Sequence, residues 1–220
     1  MGKIFYRMAV PCIQTLTHRM TVEWEEPFEE GPCVFIGNHL GAIGPVDMCA
    51  KFPLRDRIHP WINNGVLETR LVPAYVRQDY WWRPESRLAP LMNVTVPYLV
   101  APVLPFILRS VQYIPVYHDQ RVMTTLRQSL RVLQQGDYVL IFPEKAAGWH
   151  SYQDELNMGW LRLGELWHRI SGQPLKIIPV HIDVPNGVFR VSRALYFDPE
   201  RSCEDQQDEL AEALLKGLRK

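Results

Sequence analysis

The chain has 220 residues, with 24 basic side chains against 24 acidic ones, so no net field draws it to nucleic acid and any anion site has to be local. A hydrophobic share of 47% with 22% charge excludes a disordered chain and supplies core enough for one domain over 1–220. The four cysteines, Cys12, Cys33, Cys49 and Cys203, are scattered with no C-x-x-C, which argues against a disulfide scaffold and predicts reduced thiols facing the cytosol.

In chain order, residues 3–19 read as a short amphipathic helix, and Thr21 to Glu25 alternates as an edge strand does. No secretory signal is expected, because Pro11, Gln14, Thr15 and His18 interrupt the apolar residues at the start. Residues 32–37 predict a buried strand that stops at Gly37 and leads into Asn38-His39. Pro45 suits the first turn of a helix over 45–52, where its missing N–H has no partner to lose. Residues 57–62 predict a further strand, and 64–85 an irregular, aromatic stretch.

Leu91 to Leu108 carries no charge across 18 residues, near the length of a membrane span. Pro97, Pro102 and Pro105 lie inside it, and each removes a helical hydrogen bond that lipid cannot replace. With Tyr80-Trp81-Trp82-Arg83 upstream, the stretch predicts an apolar helical insertion over 64–110 that meets the membrane surface without spanning it.

The second half predicts regular alternation. Tyr113–Tyr117 is a strand, Asp119 an N-cap for a helix through Gln135, and Gly136 its stop. Tyr138–Phe142 is a strand, and Asp154 caps a helix that buries Leu156, Trp160, Leu163, Trp167 and Ile170 and ends at Gly172. Leu175–Ile182 is a strand and 204–218 a closing helix. Strands alternating with helices predict an α/β fold with a mostly parallel central sheet flanked by helices. Ligands collect beyond the carboxyl ends of such strands, where Asn38-His39, His118 and Pro143-Glu144-Lys145 all fall.

His39, just past a strand end with Asp47 as the next carboxylate, has the composition of a general base and its orienter. His181 and Asp183 alternate on one strand and read as structural. His150 and His168 lack ligand spacing, so neither a metal nor a resident cofactor is expected.

The order of these motifs resembles the glycerophospholipid acyltransferase family, the PlsC-type enzymes akin to lysophosphatidate acyltransferases. That family runs N-H-x4-D after a strand, a strand ending in Arg, F-P-E-G-T-R after a strand, then a V-P-V strand. The matching places here are Asn38-His39 with Asp47, Ile114 to His118, Phe142 to Ala147, and Ile178-Pro179-Val180. The lead-in LRQSLRVLQQGDYVLIFPE is the most specific piece, and the likeness covers roughly 20–200 with 64–110 poorly matched.

The resemblance implies transfer of a fatty acyl group from acyl-CoA or acyl carrier protein to the hydroxyl of a lysophospholipid or glycerolipid, by a peripheral or monotopic protein on the cytoplasmic face of the membrane. His39 is then the base and Asp47 its orienter, with Asn38, His118, Arg121, Glu144 and Lys145 as substrate contacts. The departures are seven residues between His39 and Asp47 where the family has four, Lys145-Ala146-Ala147 in place of Gly-Thr-Arg, and His118, with Arg121 near, in place of the Arg. The spacing works if Gly41 and Gly44 loop the excess outward and Pro45 starts the helix. Two alternatives follow: an acceptor alcohol without phosphate, or an inactive lipid- or acyl-binding protein on this scaffold.

Overall fold

The computed structural model describes residues 10–11, 14, 18–39, 43–78, 82, 85–148 and 151–219. The strands are β1 (Thr21–Trp24), β2 (Cys33–Gly37), β3 (Ile58–Asn63), β4 (Ile114–Val116), β5 (Tyr138–Ile141), β6 (Glu144–Gly148), β7 (Ser151–Leu156), β8 (Lys176–Asp183), β9 (Val188–Val191) and β10 (Leu195–Tyr196). The helices are α1 (Ile43–Lys51), α2 (Asn64–Leu67), α3 (Val72–Gln78), α4 (Ala89–Val100), α5 (Leu104–Leu108), α6 (Val122–Gln134), α7 (Arg162–Ser171) and α8 (Cys203–Leu218).

The main sheet runs β1-β9-β8-β2-β5-β3-β4, with β10 pairing β8 beside it. Pairing is parallel from β8 through β4 and between β1 and β9, and antiparallel where β9 and β10 meet β8. This is the mostly parallel α/β sheet that the alternation of elements predicts. β2 lies between β8 and β5 and is buried along its whole length, which is why Cys33–Ile36 is an unbroken apolar run.

Alternate residues of these strands face two cores. Val34, Ile36, Val139 and Ile141 pack with Leu126 and Leu133 of α6, Leu163 and Trp167 of α7, and Leu214 of α8. Cys33, Phe35, Tyr138 and Leu140 pack on the other face with Met48 and Phe52, at α1 and just beyond it. Gly136 and Gly172 stop their helices with φ of 80° and 69°, a backbone region open to glycine at little cost.

Several expectations are corrected. Residues 64–85 contain two helices, α2 and α3, where an irregular stretch was expected; the Asn63 side chain caps α2 by accepting from Gly65 N. Helix α6 starts at Val122, because Asp119 closes its own turn, accepting from Arg121 N at 2.8 Å. Asp154 caps no helix: it lies in β7, which pairs with β6 as a hairpin, and a 3₁₀ turn at Gly159–Leu161 precedes α7. The expected helix over 3–19 falls largely outside the described residues, as do Tyr80, Trp81 and Arg83.

The uncharged stretch folds as α4 and α5, broken at Ala101–Val103, with Pro97 taken inside α4. Among the described residues, no helix is long and apolar enough to cross a membrane.

Candidate functional site

β2 ends at Gly37, and the close packing there explains the glycine. A Cβ at this position meets Phe142 Cε1 at 2.7 Å, so any side chain displaces that ring. Phe142, just past β5, sets its ring edge-on to His39 with centroids 5.6 Å apart.

Asn38 acts as a clamp. Its Oδ1 accepts from Ile182 N at 2.6 Å and its Nδ2 donates to Ile182 O at 3.3 Å, both buried. The side chain thereby continues the β2–β8 pairing beyond its last backbone rung. An amide is required, because only an amide offers one acceptor and one donor together. The expected substrate contact is thus occupied in the fold, holding the start of the turn that carries His39.

His39 N donates to Glu144 Oε2 at 2.6 Å. Burial holds the His39 imidazolium down to about 4, so the ring is neutral at physiological pH. Burial likewise pushes the Glu144 carboxyl above its ordinary value, opposed by the hydrogen bond from His39 and by the positive charge of Arg219. Glu144 is placed by Pro143, whose carbonyl accepts from Asn157 N at 2.9 Å and closes the base of the β6–β7 hairpin.

Asp47 is drawn elsewhere. Its Oδ1 lies 2.7 Å from Lys51 Nζ one turn along α1, and its Oδ2 lies 3.2 Å from His18 Nε2, an ion-pair distance without hydrogen-bond alignment. Among the described residues these two are the partners of the buried carboxylate, and the low His39 basicity traces to burial. The structure therefore joins His39 to Glu144 and Asp47 to Lys51 and His18.

The reason lies in where α1 begins. It starts at Ile43, so Gly44 is a helical residue and loops nothing outward before Pro45; Gly41 is outside the described residues. With four residues between, the chain from His39 reaches Gly44, which carries no carboxylate, and Asp47 lies about 4.5 Å further along the helix axis.

His118 and Arg121 follow β4, three strand spacings or about 14 Å from β2. His118 is exposed, with its Nε2 3.2 Å from Asn63 Nδ2. Arg121 is held by Asp119 in a forked pair with a shortest contact of 2.7 Å, and its guanidinium lies 4.3 Å over the Tyr117 ring. That pairing depresses the Asp119 carboxyl to about 2. Lys145 lies in β6, and its side chain is outside the described residues.

His181 and Asp183 both serve the fold. His181 Nδ1 donates to Leu218 O at 2.6 Å, and Asp183 accepts from Arg190 at 2.6 Å and from Asn186. Among the described residues, no group of three or more His, Cys, Asp or Glu is set to hold a metal ion.

Sequence reasoning missed the Lys51 pairing, although its i,i+4 spacing from Asp47 is a readable signal. It also missed Arg219, which the Leu218 contact on β8 brings toward the same edge, and which no local motif announces. No family model, no curated protein and no solved structure matches the chain.

Proposed function

We propose that the protein is a membrane-associated O-acyltransferase of PlsC type, moving a fatty acyl group from acyl-CoA or acyl carrier protein to the hydroxyl of a lysophospholipid or related lipid alcohol. One observation carries this reading: a half-buried His39 at the carboxyl end of a central parallel strand, its ring kept neutral by desolvation, with Glu144 holding its backbone. A neutral imidazole can take the acceptor's hydroxyl proton as that oxygen attacks the thioester carbonyl. The tetrahedral intermediate then expels the thiolate, which leaves with the proton from His39 as a free thiol. No covalent acyl-enzyme and no metal enter this scheme.

Glu144 is the carboxylate that positions the base, acting through the backbone of His39. Asp47 anchors α1 through Lys51 and His18. The Asp119–Arg121 pair favours the second reading, in which the acceptor is a lipid alcohol without a phosphate, since the guanidinium already has its anion.

Radiolabelled acyl-CoA and acyl carrier protein, offered with lysophosphatidate and with neutral lipid alcohols, test both. Transfer is expected to occur and to fall at least a hundredfold in His39→Ala, the usual range for a lost general base. The acceptor that works selects between the readings. Lipid binding with no transfer to any acceptor overturns the enzyme and leaves an acyl-binding protein.

A further inference from the structure

Helices α4 and α5 are apolar on both faces. Inward, Ala89, Met92, Val96, Val100, Ala101 and Leu104 pack with Val72, Val76 and Trp82. Outward, Leu91, Val94, Tyr98, Leu99, Val103 and Phe106 are each 52–72% exposed. A helix facing water carries polar residues on its outer side; one apolar all round has an apolar environment on both. Two polar residues stand among the outward ones: Asn93, which is exposed, and Thr95, whose hydroxyl donates to Leu91 O at 2.8 Å. The resulting ridge exceeds the scattered apolar exposure normal for a monomer.

Arginines stand at both ends of this ridge, with the exposed Glu85 two residues before the first. No charged residue stands between Arg87 and Arg109, which bracket the two helices and are both exposed. Arg77 lies 5.3 Å over the Tyr98 ring and donates to Asn93 O at 3.0 Å, a third guanidinium at the margin. Arginine beside tyrosine at the edge of an apolar face complements phosphate headgroups above acyl chains. A second copy of the chain brings the same arginine margin against itself.

The ridge lies on the segment that joins β3 to β4. Of the fourteen large apolar side chains exposed among the described residues, twelve lie on segments that follow the carboxyl ends of β2, β3 and β4. Val46, Leu71, Val122 and Met123 are the members outside the α4–α5 region. The exceptions are Ile170 and Tyr196. α4 spans about 18 Å, well short of the ~30 Å bilayer core, so it cannot cross.

We propose that the outer face of α4 and α5 is a docking surface for a bilayer containing anionic phospholipid, lying in the plane of the interface with Arg77, Arg87 and Arg109 at the headgroups. It deepens the acyl-transfer reading by naming the surface from which His39's edge draws its lipid alcohol, and it stands on separate residues.

Flotation with vesicles of phosphatidylcholine alone and of phosphatidylcholine with phosphatidylglycerol tests it. The wild-type chain is expected to float, more strongly with phosphatidylglycerol and less so as salt rises. Leu91→Ser/Leu99→Ser/Phe106→Ser is expected to lower partition at least tenfold with its thermal transition retained, and Arg87→Gln/Arg109→Gln to remove the preference for phosphatidylglycerol. Should the triple variant fail to fold, Leu99→Trp adds a reporter whose fluorescence is quenched by brominated lipid.

Flotation unchanged in the triple variant, wild-type protein that never floats, or no quenching in Leu99→Trp beyond that of the seven native tryptophans overturns the proposal. So does wild-type self-association that the triple variant abolishes without any vesicle binding. Partition is read without substrate, so it holds or fails independently of transfer; conversely, the triple variant retains transfer to a short-chain, water-soluble alcohol if the catalytic reading is right.

Discussion

A histidine stands beside a carboxylate at each end of the central sheet, and the two pairs are built differently. At the amino end, His59 Nε2 lies 3.4 Å from Asp137 Oδ2, while Asp137 Oδ1 takes Arg57 Nε at 3.2 Å. Arg57 also donates to Gly136 O at 2.6 Å and lies 4.7 Å over the Tyr138 ring. There a cation fixes the carboxylate, and the network ties the start of β3 to the start of β5. At the carboxyl end, Glu144 bonds the His39 backbone, and burial keeps the imidazole neutral. Equal residue types thus give a closed electrostatic tie at one end and a desolvated, weakly basic ring at the other. A group perturbed by burial at a strand's carboxyl end stands where α/β sheets place their ligand sites, which makes His39 the candidate of the two.

The comparison is most sharply tested by removing the two rings. His39→Ala is expected to lower acyl transfer by a factor of about 10²–10⁴, and His59→Ala to leave it within a factor of about 3, both read as initial rates with the acceptor that works. Equal losses from both break the contrast.

Next in size is the clamp. Asn38→Ala strands the buried N–H and C=O of Ile182 and is expected to cost about 2–4 kcal/mol. The measurement is a urea unfolding midpoint at constant slope.

Acid comes third. Unfolded, the His39 ring takes a proton near its ordinary 6.5; folded, only near 4. Below 6.5 the unfolded chain therefore binds more protons, and stability falls as pH drops through that window, by roughly 2–3 kcal/mol from this residue. Unfolding followed across that window should show the slope, and His39→Gln should flatten it. An unchanged slope in His39→Gln removes the claim of burial.

The smallest effect belongs to the amino end. Arg57→Ala, in a partly exposed pair, is expected to cost about 1 kcal/mol of stability with no change in transfer rate. A loss of activity there would make the two ends functionally alike.

Much of the frame was legible because its strands are buried on both faces and so appear as unbroken apolar runs, as in Cys33–Ile36 and Tyr138–Ile141. The glycine stops were legible too, since left-handed φ leaves few other residues. The β6–β7 hairpin was not, because Leu156 and Trp160 have a spacing that suits a helix as well as a strand end followed by a 3₁₀ turn. β9 escaped notice because it is only four residues long and follows β8 across the tight turn at Gly187, although Val188, Phe189 and Val191 favour a strand. At the site, His39 and Glu144 were legible as strand-end residues. The fate of Asp47 was not, since it depends on whether α1 begins two residues before Pro45 or at it, and backbone pattern leaves that choice open. Likewise the apolar stretch was visible, but which half of its side chains faces outward emerges only once α4 has packed on α3.

The amide clamp of Asn38 has a consequence for which partner moves. Because a side chain closes β2 against β8 past the last rung, the strand end cannot fray without also freeing Ile182 in the interior of the sheet. Asn38, the residue before His39, is therefore tied to the sheet. In the acyl transfer proposed above, a base held in this way does not reach for its substrate, and approach and alignment fall to the lipid and the acyl donor.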